Sequence, residues 1–131
     1  MEEILELTFN DPDIKELPAL PDTLKSLDCS GCMSLKNLPT LPPGLQTLIC
    51  SGCTKLETIP ELPDTLIELY CSDCIKLTSL PRISSTSLIV LSCQDCTNLV
   101  NIPELPTSLE ELYCEDCINL EILPFLSNVI V

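Results

Sequence analysis

The sequence predicts a nearly all-β solenoid: a parallel sheet along one face and an extended return on the other, with little or no helix. Three observations predict it. A cysteine pair three residues apart recurs, its first member at Cys29, Cys50, Cys71, Cys93 and Cys114, in steps of 21, 21, 22 and 21 residues. Its second member keeps step at Cys32, Cys53, Cys74, Cys96 and Cys117. A Leu-Pro or Ile-Pro punctuates each interval, at Pro18, Pro39, Pro60, Pro81, Pro103 and Pro124. A fixed period of about 20–50 residues marks a stacked-repeat architecture.

Residues 1–23 form an N-terminal degenerate copy or cap. Ile4-Leu5-Glu6-Leu7-Thr8-Phe9 alternates like a short strand, with Ile4, Leu7 and Phe9 in the places of Leu24, Leu27 and Cys29. Pro12 falls where Cys32 falls in the next copy, and Asn10-Asp11-Pro12-Asp13 has the composition of a turn. Terminal repeats are commonly atypical because one side has no neighbour. Phe9, larger than cysteine, is expected to close that end of the core.

Residues 24–123 hold five copies of 21–22 residues, starting at Leu24, Leu45, Leu66, Leu88 and Leu109. With each start as position 1, apolar residues occupy positions 1, 4, 6, 9, 12 and 15. Positions 4 and 6 alternate with polar ones, the mark of a half-buried strand, here about three to five residues long. Each strand runs into a two-residue turn between the cysteines. The return segment, as in Leu38-Pro39-Thr40-Leu41-Pro42-Pro43-Gly44, excludes an α-helix, because proline removes a donor and fixes φ. It is expected to be polyproline-II-like, with Leu41, Leu62 and Leu105 turned inward. In Arg82-Ile83-Ser84-Ser85-Thr86-Ser87 one residue is added and the second proline is lost, read as a small outer bulge. Residues 124–131 begin a truncated C-terminal copy. Leu126, Val129, Ile130 and Val131 leave an apolar end with three readings: an antiparallel homodimer with a second copy, which is favoured, a tail folded over the last turn as a cap, or a junction within a longer repeat array.

The pattern Leu24-x-x-Leu27-x-Cys29-x-x-Cys32-x-x-Leu35 resembles the leucine-rich repeat, over residues 4 to about 126. The Leu-Pro-x-Leu-Pro return is similar to short repeats of secreted bacterial effectors. The cysteine at position 6 is similar to repeats of giant viruses and some bacteria. The resemblance implies an α/β-class leucine-rich-repeat solenoid, in practice nearly all-β: a horseshoe-shaped interaction module, with no activity. The effectors attach a separate ubiquitin-ligase domain, for which nothing in this chain has the pattern.

Composition narrows function. Twenty acidic residues against six basic ones give a net charge of −14, which repels phosphate backbones and anionic lipid. No apolar run approaches the ~18–20 residues that span a bilayer. Nucleic acid and membranes are therefore excluded as expected partners. Histidine is absent, which removes the commonest general base. Glu110 and Glu111 could be imagined as an acid–base pair, but strand neighbours face opposite ways. The expectation is a non-enzyme without cofactor.

Ten cysteines admit three readings. As core residues at positions 6 and 9 they are reduced and pack as small hydrophobes, without a full asparagine-like bonding ladder. The opening Met1-Glu2-Glu3, without a charged and then apolar leader, favours an intracellular, cytoplasmic chain with reduced thiols. Alternatively, the stacked pairs Cys29, Cys32, Cys50, Cys53, Cys71, Cys74, Cys93, Cys96, Cys114 and Cys117 bind a metal or an iron–sulfur cluster. A redox role is the third.

The outward positions 2, 3, 5, 7 and 8 should line the concave sheet face. There Ile49, Ile67, Tyr70, Ile89, Val90 and Tyr113 are apolar or aromatic where solvent is expected, beside Glu68, Glu111 and Glu115. Tyrosine among carboxylates suits a basic protein or peptide. The candidate binding set is Ile49, Ile67, Glu68, Tyr70, Ile89, Glu111, Tyr113 and Glu115. The rival to an interaction scaffold, besides the metal-binding solenoid, is a purely structural or assembly protein.

Overall fold

The computed structural model describes residues 3–121. The segment proposed to dimerise, with Leu126 and Val129 to Val131, lies outside the described residues. Six parallel strands form one sheet in chain order: β1 (Glu6–Thr8), β2 (Ser26–Asp28), β3 (Thr47–Ile49), β4 (Glu68–Tyr70), β5 (Val90–Ser92) and β6 (Glu111–Tyr113). Register is uniform, with Leu7, Leu27, Leu48, Leu69, Leu91 and Leu112 side by side. One repeat advances the chain by one strand, so every ladder in the sequence becomes a ladder in space. No helix occurs among the described residues.

Each strand spans three residues, yet the backbone pairing continues beyond it. The N–H groups of Cys29, Cys50, Cys71 and Cys93 donate to Ile49, Tyr70, Ser92 and Tyr113 of the following turn at 2.7–2.8 Å. The N–H groups of Gly31, Gly52, Asp73 and Asp95 do the same around the corner. That corner requires a left-handed residue: Gly31 and Gly52 have φ of 75°, while Asp73, Asp95 and Asp116 have φ of 58–60°. Glycine takes this conformation without cost, and aspartate is among the few other residues that tolerate it. Asp73, Asp95 and Asp116 thus come into line, and burial followed by the two flanking carboxylates pushes the Asp95 acid up.

Leucines at positions 1, 4 and 12 fill the interior, those of the second to fourth copies having no solvent exposure. A single repeat could not bury them; only a neighbour on each side completes the enclosure. Leu41 and Leu62 turn inward and are buried, and Leu105 is half-buried against the same cluster. Phe9 is half-buried at the amino end of the core.

Two features depart from the sequence expectation. The cysteines at position 9 do form a continuous bonding ladder. The thiols of Cys32, Cys53, Cys74, Cys96 and Cys117 donate to the carbonyls of Phe9, Cys29, Cys50, Cys71 and Cys93, at 3.4, 3.2, 3.1, 3.1 and 2.9 Å. A weak donor suffices because the corner brings it directly onto a carbonyl of the preceding turn. The longer return of the third copy, at residues 82–87, is also more than an outer bulge. Ser85 is buried, and its hydroxyl lies 2.8 Å from the Leu66 carbonyl and 3.0 Å from that of Asp64. Thr23, Thr65 and Ser108 hold the equivalent carbonyls, Ile4, Leu45 and Leu88, at 2.7–2.8 Å. Those three directly precede the next start, whereas Ser85 lies three residues before Leu88, so in the longer return Ser85 rather than Ser87 supplies the hydroxyl.

Candidate interaction face

The strands project alternate residues to either side of the sheet. The middle residue of each is leucine and points into the core; the two flanking residues face out. Registered outward rows result. One runs Ser26, Thr47, Glu68, Val90, Glu111; the other runs Asp28, Ile49, Tyr70, Ser92, Tyr113. The structure therefore brings Ile49, Glu68, Tyr70, Glu111 and Tyr113 of the candidate set onto one continuous surface. All five are half-buried. Ile67 and Ile89 flank the strands at position 2; Ile67 is half-buried and Ile89 is 37% exposed. Glu115 lies away from the rows, beyond the strand end, where it accepts a hydrogen bond from the Gln94 amide.

The middle of this face differs from the pattern. Val90 and Ser92 point outward but are each only 6% exposed. Their neighbours on both sides are the largest on the sheet: Glu68 and Glu111 flank Val90, and Tyr70 and Tyr113 flank Ser92. The small residues of β5 thus sit between two larger pairs. The Ser92 hydroxyl lies 3.0 Å from that of Ser72. Sequence reasoning placed Val90 among solvent-facing residues, since the burial arises from partners 20 or more residues away. The Tyr113 hydroxyl donates to Glu111 Oε1 at 3.2 Å. That carboxylate raises the Tyr113 phenol above its ordinary range. Tyr70 is raised first by burial and then by Glu68 and Glu111. Both phenols are thus held in their neutral form beside these side chains.

All ten cysteines are free thiols; nine are buried and Cys114, in the last described turn, is half-buried. Cys29, Cys50 and Cys71 are pushed up, first by the adjacent thiols of Cys53, Cys74 and Cys96 and then by burial. Cys93 and Cys114 are pushed up by burial. Cys53 and Cys96 are drawn down by the same contacts, so the Cys29–Cys53 and Cys71–Cys96 pairs resist losing a second proton. Metal coordination needs thiolates. Among the described residues no group of three or more cysteine, aspartate or glutamate side chains is arranged to hold an ion.

A separate open groove of about 620 Å³ is lined by Lys15, Lys36 and Lys55 with Asn37 and the edges of Leu17 and Leu38. It gathers half of the chain's six cations. No motif announces it, because the lysines come from three different repeats.

No family model matches the chain, and no curated protein matches it. Among solved structures it is similar to YopM from Yersinia enterocolitica WA-314, a leucine-rich-repeat bacterial effector, with a TM-score of 0.75 and 32% identity. The match covers 88% of this chain and 25% of that one, so the chain spans a quarter of YopM's length. Parallel three-residue strands, one per repeat, leucine ladders within and a helix-free proline-rich return complete the pattern: the chain is a leucine-rich-repeat solenoid.

Proposed function

We propose that the chain is a non-enzymatic protein-interaction scaffold whose sheet face docks a basic protein or peptide. The observation that carries this is the registered surface of Ile49, Tyr70 and Tyr113 beside Glu68 and Glu111. It offers apolar and aromatic area for contact and carboxylates for a cationic partner. Stacked repeats present such extended surfaces as a consequence of their geometry. Ile67 and Ile89 widen the apolar area along one margin, and Glu115 adds charge at the other. A partner met in a reducing compartment such as the cytoplasm suits ten free thiols. The test is affinity capture with the wild type and a Tyr70→Ala/Tyr113→Ala variant. A basic protein retained by the wild type and lost with the variant supports the proposal. Equal retention of every bound protein by both would remove the face from the account.

A further inference from the structure

We infer that Tyr70, Tyr113, Glu68 and Glu111 form a receptacle for one arginine side chain of the partner, an assignment that rests on the basic partner proposed above. The two tyrosines sit on β4 and β6, in register with Ser92 between them. Strands two apart are separated by about 9.5 Å, twice the ordinary spacing. A planar cation with a ring on each side needs two contacts of about 3.5–4 Å, or about 7–8 Å in all. Rings leaning slightly inward therefore match a guanidinium stacked between them. The residue that β5 places between them is a serine, small and with its hydroxyl 3.0 Å from that of Ser72. Beneath the stem of the entering side chain lies Val90, an apolar floor.

The charge is arranged to match. Glu68 and Glu111 flank Val90 as the tyrosines flank Ser92, so a carboxylate stands beside each ring. Glu111 accepts from Tyr113 at 3.2 Å, a long bond that a guanidinium N–H would replace with a charge-assisted one. Arginine suits the site better than lysine. Its fork can reach both carboxylates while its plane stacks on both rings; an ammonium is a point charge that can do one or the other. Val90 and Ser92 are each only 6% exposed between these four flanking side chains. The half-exposed rotamers of those four give the entry route, since such side chains reorient within nanoseconds.

The chain has two tyrosines and no tryptophan, so its tyrosine emission reports on this site alone. Blocked Gly-Arg-Gly, Gly-Lys-Gly and Gly-citrulline-Gly peptides would be titrated while that emission is followed. The arginine peptide should change the emission saturably, and the isosteric, neutral citrulline peptide should not. The lysine peptide should bind several-fold more weakly. Glu68→Gln/Glu111→Gln should weaken arginine binding by about tenfold, whereas Tyr70→Phe/Tyr113→Phe, which keeps the rings, should retain most of it by calorimetry. Equal responses to arginine and citrulline, or full binding by the glutamine variant, would overturn the receptacle. A longer arginine-rich peptide separates the two levels. If calorimetry shows it bound while the emission stays unchanged, the basic partner stands and the receptacle falls. If it does not bind at all, both fall.

Discussion

Cysteine performs two different tasks in this chain, distinguished by three residues of spacing. At position 6 it is packing: Cys29, Cys50, Cys71 and Cys93 stack in a fully enclosed column. At position 9 it is a donor, closing each corner onto the turn before. The column was legible in the sequence because burial follows the period. The donor role was not, because a thiol is a weak donor and its acceptor lies 23–25 residues back in the chain. Replacing Cys71 by serine in the centre of the column should cost about 1–3 kcal/mol, read from urea midpoints, because a hydroxyl is buried there in place of a soft apolar sulfur. The thiols also set a pH dependence. Cys29, Cys50, Cys71, Cys93 and Cys114 are raised in the folded state. Unfolded thiols titrate near 8.5. Above that pH the unfolded chain binds fewer protons than the folded one, so stability falls as pH rises; below it their contribution is fully present. The opposite displacements of Cys53 and Cys96 offset part of this. Under reductant, the urea midpoint should be lower at about pH 9.5 than at about pH 7.5.

The repeat unit is held by three ladders of different visibility. The leucine ladder and the proline-rich return were legible from position alone, since each apolar position recurs in every copy. The left-handed corner was only partly so. Gly31 and Gly52 announce it, but Asp73, Asp95 and Asp116 adopt it without looking different from surface acids. The hydroxyl ladder of Thr23, Thr65, Ser85 and Ser108 was hidden, because serine and threonine near prolines read as ordinary loop residues. Its energetic role can be tested in both directions. Ser85→Ala should destabilise by about 1–3 kcal/mol, since it deprives two backbone carbonyls and the Ser87 N–H of their partner. Among the described residues Gly44 is the position in the series without a hydroxyl. A Cβ there meets only the Lys25 ammonium, at 2.8 Å, the far end of a flexible side chain that can move. Gly44→Thr should therefore stabilise by about 0.5–1 kcal/mol, by bonding the Leu24 carbonyl and by restricting the unfolded chain. Thermal unfolding of the two variants beside the wild type checks both signs.

The whole molecule turns a one-dimensional repeat into a surface. Residues 20–22 apart in sequence become neighbours, so the outward rows of the sheet can be written down from the period. What could not be written down is the depth of that surface, because Val90 and Ser92, each flanked by larger side chains on the neighbouring strands, are only 6% exposed. The charge is also uneven: all six cations lie at or before Arg82, while seven acids and no cation follow it. An acidic, tyrosine-bearing face should gather a basic partner by long-range attraction and hold it by desolvated contact. The two contributions separate in one measurement, calorimetric titration of a lysine- and arginine-rich peptide into wild type and Tyr70→Ala/Tyr113→Ala at low and high salt. The account predicts binding that weakens as salt rises, because exposed charges are screened beyond about 10 Å at 0.1 M, and a further loss of at least about tenfold in the tyrosine variant at either salt. Binding of equal strength in both proteins, indifferent to salt, would contradict it.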